Sequence, residues 1–148
     1  MDTQVRKLDY DNIDPEIMKE AGDIIRAGGL VAFPTETVYG LGGDALNPRS
    51  SMKIYEAKGR PSDNPLIVHI EERADLYKIA KKVPEKAEKM MDAFWPGPLT
   101  LIFPKTDRVP SETTGGLDTV AVRMPSDGIA AAFIRAAGGF IAAPSANV

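Results

Sequence analysis

The sequence contains no cysteine. That excludes disulfides, thiolate nucleophiles and thiolate-bound metals together. Histidine is nearly absent too; the single one, His69, excludes a histidine-rich zinc site. No apolar run approaches the roughly 18 residues of a membrane span. The opening Met-Asp-Thr-Gln is polar and acidic, unlike a secretory signal. A cytoplasmic protein with no membrane partner is therefore expected. Basic residues are outnumbered, 18 against 21, for a net charge of −3. No global positive field draws in nucleic acid, which leaves a local basic groove as the only electrostatic route to it. The length, 148 residues, suits one domain.

What is present reads as alternating helices and strands. Residues 14–27 form a helix, capped by Asp14, opened by Pro15 and striped by Ile17, Ala21, Ile24 and Ile25. Leu30-Val31-Ala32-Phe33 is a short buried strand. The run from Thr35 to Ala45 follows, and its Gly40, Gly42 and Ala45 match a G-x-G-x-x-A dinucleotide pattern. That pattern needs its first glycine directly after a strand and a helix opening on its last position. Here residues 34–39 intervene and Asn47-Pro48 follows, so the reading is rejected; these glycines serve close packing or turning. Ser50 or Ser51 caps a second helix that ends at Lys58. Residues 66–70 form a strand with Leu66, Val68 and Ile70 on one face and Ile67 and His69 on the other. Helices at 72–81 and 84–94 bury Leu76, Ile79 and Ala80, then Ala87, Met90, Met91 and Phe94. Strands are expected at 99–103, 119–124 and 140–143, and a helix capped by Ser126 runs to about Ala137. Residues 104–118 read as a long polar loop, either a lid or a disordered segment.

Chemistry concentrates between Lys58 and His69, where cations, Asp63, Asn64 and the lone histidine gather at a helix-to-strand passage. Lys58 in a last helical turn is explained by the helix's negative end alone. Arg60 lies beyond the helix and has no such reason. A lone histidine on a strand is commonly a packed residue. Arg123 shares a strand face with Thr119, which marks either a lined cleft or a solvent edge. An internal echo adds to this. Ile25 to Thr37 and Ile134 to Asn147 both run helix end, glycine pair, apolar strand, proline, hydroxyl-x-polar. It predicts two parallel, close strands in one sheet, delivering Thr35, Thr37, Ser145 and Asn147 from their C-terminal ends to one cleft. In open α/β sheets ligands bind at such ends. His69 and Arg123 also sit toward strand ends and are expected in the same cleft.

The motifs A-K-G-R-P-S-D-N-P-L-I-V-H, P-T-E-T-V-Y-G-L-G, W-P-G-P-L-T, V-A-V-R-M-P and A-P-S-A-N together resemble the YrdC-type threonylcarbamoyl-AMP synthases, from about residue 14 to 148. The resemblance implies an α/β fold, a twisted open mixed β-sheet with helices packed on its faces. It implies formation of threonylcarbamoyl-AMP and pyrophosphate from L-threonine, bicarbonate and ATP, the first step toward threonylcarbamoyladenosine in tRNA. Mg2+ would accompany ATP, with no tightly bound protein metal. Position by position, it implies threonine contacts at Thr37, His69, Arg123 and Ser145, with Thr35 a further candidate. Nucleotide contacts fall at Lys58, Arg60, Asn64, Thr119 and Asn147. Lys58 and Arg60 would act electrostatically, because a carbamate attacking the α-phosphate needs no enzyme nucleophile. Implied partners are tRNA and the downstream threonylcarbamoyl-transferase machinery. Relatives continue past Asn147 with a Ser-Gly segment, so residues 1–148 are expected to be a single YrdC-like domain truncated at its C-terminal end. Two rival readings are a double-stranded RNA or tRNA-binding module, and the carbamoyl-adenylate-forming domain of a carbamoyltransferase.

Overall fold

A computed structural model of the chain describes residues 2–146. Helix α1 spans Pro15–Arg26; the Asp14 carboxylate accepts from the Glu16 amide and Pro15 opens the first turn. Helix α2, Pro48–Lys58, starts earlier than a serine cap predicts. Asn47 caps it by accepting from the Arg49 amide, and Ser50 and Ser51 are buried instead. Helices α3 (Arg73–Ile79) and α4 (Glu85–Phe94) follow. Only Met91 of the α4 apolar set is fully buried, while Met90 and Phe94 face solvent, because the helix turns its Ala87–Met91 line to the core. Helix α5, Gly128–Ala136, is capped by Asp127 rather than Ser126.

Six strands form one sheet: β1 (Val31–Phe33), β2 (Gly40–Asp44), β3 (Ile67–His69), β4 (Thr100–Pro104), β5 (Thr119–Arg123) and β6 (Ile141–Ala143). Their order is β1-β2-β6-β3-β5-β4. Strands β3 and β5 pair parallel and every other ladder is antiparallel, so the sheet is mixed, as expected. The two echoed strands, β1 and β6, do run the same way in this sheet. They are not neighbours, because β2 lies between them.

Strand β2 has no β-branched residue, and its glycines have a steric cause. A Cβ at Gly42 would stand 2.9 Å from both the Phe33 ring and Ile141 Cγ2, and one at Gly40 would stand 3.0 Å from that ring. The Phe33 ring therefore lies across bare backbone and meets His69 on β3 edge-on, with ring centroids 5.7 Å apart.

Register then sorts the two faces. Val68, Val120, Val122, Phe103 and Ala142 share the face covered by α2, α3 and α4. Phe33, Ile141 and Ala143 share the other with α1 and α5. Those two helices cover β1, β2 and β6. The same face over β5 and β4 is open: Thr119 and Ala121 are half-buried and Ile102 is 69 % exposed. The 104–118 loop is neither a lid nor a disordered segment. Val109, Thr113 and Thr114 are buried. The Thr113 hydroxyl donates to the Ala45 carbonyl at 2.7 Å and stands 2.6 Å from Ser51 Oγ. The Leu66 amide donates to the Thr113 carbonyl at 3.0 Å.

Candidate functional site

The cationic stretch is built by the way α2 stops. Gly59 adopts φ 64°, ψ 25°, a left-handed conformation open to glycine at no steric cost. The Arg60 amide closes back onto the Tyr55 carbonyl at 3.1 Å. Lys58 is thus the last helical residue and Arg60 the second beyond it, and the turn at Gly59 re-aims the chain between them. Both side chains are half-buried. Arg60 Nη2 donates to the Pro65 and Asn64 carbonyls at 3.3 and 3.5 Å, both long, and its buried Nε finds no partner among the described residues. The guanidinium is held in place with much of its donor capacity unspent. Asn64 is exposed at the mouth of the same loop.

The second cluster lies on the open-sided face. His69 pairs in register with Arg123, so the two share that face. Arg123 is buried at 9 % exposure. Burial lowers its pKa from the usual arginine value, yet a guanidinium stays charged at neutral pH. Its Nη1 donates to Thr37 Oγ1 at 3.3 Å, and its Nη2 donates to the Glu36 carboxylate. The other Glu36 oxygen accepts from the Ser126 amide and hydroxyl. Thr35 shapes the same connection: its hydroxyl donates to the Val38 carbonyl at 2.6 Å and accepts from the Thr37 amide at 3.2 Å. His69 is buried, with Nδ1 3.0 Å from the Ile67 carbonyl. Burial pushes its pKa down to about 4, so the ring is neutral at pH 7.

Convergence comes about differently from the strand-end expectation. Ser145 follows β6 and bridges Gly40; the Ala146 amide donates to the Tyr39 carbonyl at 2.7 Å. Residues 34–39 and 144–146 therefore meet at one end of the sheet. Strands β3 and β5 run opposite to β6, so that end holds their beginnings, with Asn64 entering β3 and Thr119 starting β5. His69 and Arg123, at the finishing ends of β3 and β5, lie the other way. The two ends of β3 are two residues apart, about 7 Å at strand rise. Thr37 crosses that gap because the 34–39 connection folds back over the sheet face to Arg123. The expectation for Asn147 lies outside the described residues. Glu36 and Ser126 were not singled out from the sequence. Glu36 is the one acid inside P-T-E-T, which is the available signal, whereas Ser126 read as a helix cap.

A six-stranded mixed sheet with five helices, and a buried guanidinium on its partly open face, defines an α/β domain. The chain belongs to the Sua5/YciO/YrdC family: the family model, described as "Telomere recombination", matches residues 23–148. It is 58% identical over 128 residues to the threonylcarbamoyl-AMP synthase of Pyrococcus abyssi, covering 86% of this chain and 38% of that protein. The threonylcarbamoyl-AMP synthase of Halorhodospira halophila is 38% identical over 133 residues, covering 90% of this chain and 70% of that protein. Among solved structures, P. abyssi Sua5 complexed with L-threonine superposes with a TM-score of 0.90 at 55% identity, covering 92% of this chain and 40% of that one. The chain thus spans about two fifths of the P. abyssi relative's length. Among the described residues no helix is long and apolar enough to cross a membrane. No group of three or more His, Cys, Asp or Glu among them is placed to hold a metal ion.

Proposed function

We propose that this domain binds L-threonine and ATP side by side and forms threonylcarbamoyl-AMP, as a threonylcarbamoyl-AMP synthase in the cytoplasm. The carrying observation is the buried Arg123 guanidinium beside Thr37, together with the Lys58 and Arg60 cations where the chain leaves α2 toward β3. The names of its relatives point the same way.

In this reading Arg123 holds the threonine carboxylate and Thr37 orients the molecule beside it. Neutral His69 forms the pocket floor without competing for charge, and Ser145 closes the near end. The threonine amine and bicarbonate form a carbamate with loss of water. A carbamate oxygen then attacks the α-phosphate, the bond from that phosphorus to the bridging oxygen breaks, and pyrophosphate leaves. Magnesium arrives with ATP as part of the substrate. Lys58 and Arg60 offset the charge that shifts onto the departing phosphates, and Asn64, Thr119 and Asn147 position the nucleotide. The product passes to tRNA through a threonylcarbamoyl-transferase. The test is pyrophosphate release from ATP with bicarbonate present, with and without L-threonine. Threonine-dependent release is expected, lost in Arg123→Ala. No release, as an RNA-binding module requires, or release indifferent to threonine, as a carbamoyl-adenylate-forming domain requires, would overturn the reading.

A further inference from the structure

The groups around Arg123 form a seat built for a carboxylate, and one side of it is formed by a residue without an assigned role. Glu36 places one oxygen on Arg123 Nη2 and the other on the Ser126 amide and hydroxyl. The donors all come from fixed parts of the fold. Arg123 ends β5, which is held between β3 and β4, and Ser126 precedes Asp127, whose side chain caps α5 by accepting from the Ala130 amide at 2.9 Å. Glu36 comes instead from the surface connection 34–39, where Thr37, Val38 and Tyr39 are exposed. The Arg123 side chain is 10% exposed and that of Glu36 21%, whereas Ser126 is exposed, so the seat is shielded on its arginine side and open at its serine side.

We propose that Arg123 and Ser126 together form the carboxylate seat for the amino-acid substrate, and that Glu36 is its tethered occupant. The substrate carboxylate takes the seat by displacing Glu36, which moves the 34–39 connection with it. This rests on the threonine reading above and adds Ser126 as a substrate-binding residue through its amide and hydroxyl. It also supplies a specificity filter. A tethered carboxylate competes at an effective concentration in the millimolar range, so simple carboxylates are kept out. A ligand displaces it only by adding contacts beyond the carboxylate, as an amino acid with a side-chain hydroxyl does beside Thr37.

The test uses calorimetric titration of L-threonine and thermal melts with sodium formate at roughly 100 mM, well above that effective concentration. Glu36→Gln exchanges an ion pair with Arg123 for a weaker bond to a neutral amide, and threonine is expected to bind it roughly 10-fold tighter than wild type. Glu36→Asp, which keeps the charge but falls a methylene short, gives a smaller gain and covers the case in which Gln fails to fold. Formate raises the melting temperature of the Glu36 variants more than that of wild type, where it must first displace the tethered Glu36 carboxylate. Adding Ser126→Ala to Glu36→Gln is expected to remove about 10-fold of threonine affinity. Threonine binding no tighter in folded Glu36→Gln or Glu36→Asp than in wild type would overturn the displacement. Formate acting equally on wild type and variants would overturn the seat. A wild type that ignores threonine, together with variants that respond to formate, would leave the seat standing and sink the threonine function instead.

Discussion

His69 offers a quantitative test because its burial has a defined sign and size. Its pKa is pushed down to about 4 in the folded chain, against 6.5 for a free histidine, because a charged imidazole would lose its solvation beside Phe33 and the strand backbone. Between those two values the unfolded chain binds a proton that the folded chain refuses. Stability is therefore fully present above pH 6.5, falls as the pH drops from 6.5 toward 4, and loses nothing further to this group below 4. Each pH unit in that window is worth about 1.4 kcal/mol, so the loss is about 3 kcal/mol, a large share of an ordinary domain's stability. The assay is urea unfolding at pH 7 and at pH 4 for wild type and His69→Phe, a variant of similar shape that cannot titrate. Carboxylates titrate in both proteins and cancel in the comparison, as does the neighbouring Arg123. Wild type is expected to lose about 3 kcal/mol more than the variant over this range. Equal losses would show that His69 protonates freely in the folded chain and would refute its placement as a sealed, neutral wall.

Two further predictions concern packing. Gly42→Ala drives a methyl to 2.9 Å from the Phe33 ring and Ile141, and is expected to cost about 1–3 kcal/mol in denaturant unfolding. Gly128→Ala, whose added Cβ meets nothing closer than 3.9 Å at the start of α5, should be neutral or slightly stabilising. Thr113→Val keeps the shape but strands the Ala45 carbonyl and the Ser51 hydroxyl, so a loss of about 1–3 kcal/mol is expected in the same assay. An unchanged midpoint there would mean that the 104–118 loop is not anchored through this contact.

How much of this was legible in the sequence varies by element. Helix α1 was plain because its cap and proline are adjacent in the chain. The start of α2 was not, since Ser50 and Ser51 have cap-like side chains but are buried, and Ser51 meets Thr113 more than sixty residues away. Strand β2 was invisible because a glycine-rich strand carries no β-branched pattern; its composition answers a ring on the neighbouring strand. The echo identified two strands of like direction but had no means of detecting the strand inserted between them. The strand-end rule presumes a parallel sheet, and antiparallel pairing of β6 with β3 sends His69 and Arg123 the other way. Arg123 stood out in the sequence as a cation on a strand face, and Thr37 as a polar group of the internal echo; the structure brings the two within hydrogen-bond distance. Glu36 and Ser126 did not stand out, because their role arises from a contact across ninety residues that only the folded connection creates.

The central claim is that one surface carries two chemically distinct ends, cations for the nucleotide and Arg123 for the amino acid. Calorimetric titration of wild type, Lys58→Ala, Arg60→Ala and Arg123→Ala with ATP and with L-threonine separates them. One charge-assisted hydrogen bond is worth about 1.5–3 kcal/mol, so Lys58→Ala and Arg60→Ala should each weaken ATP by roughly 10- to 100-fold and spare threonine. Arg123→Ala should do the reverse. ATP affinity unchanged in both cation variants, or threonine affinity unchanged in Arg123→Ala, would contradict the two-ended site.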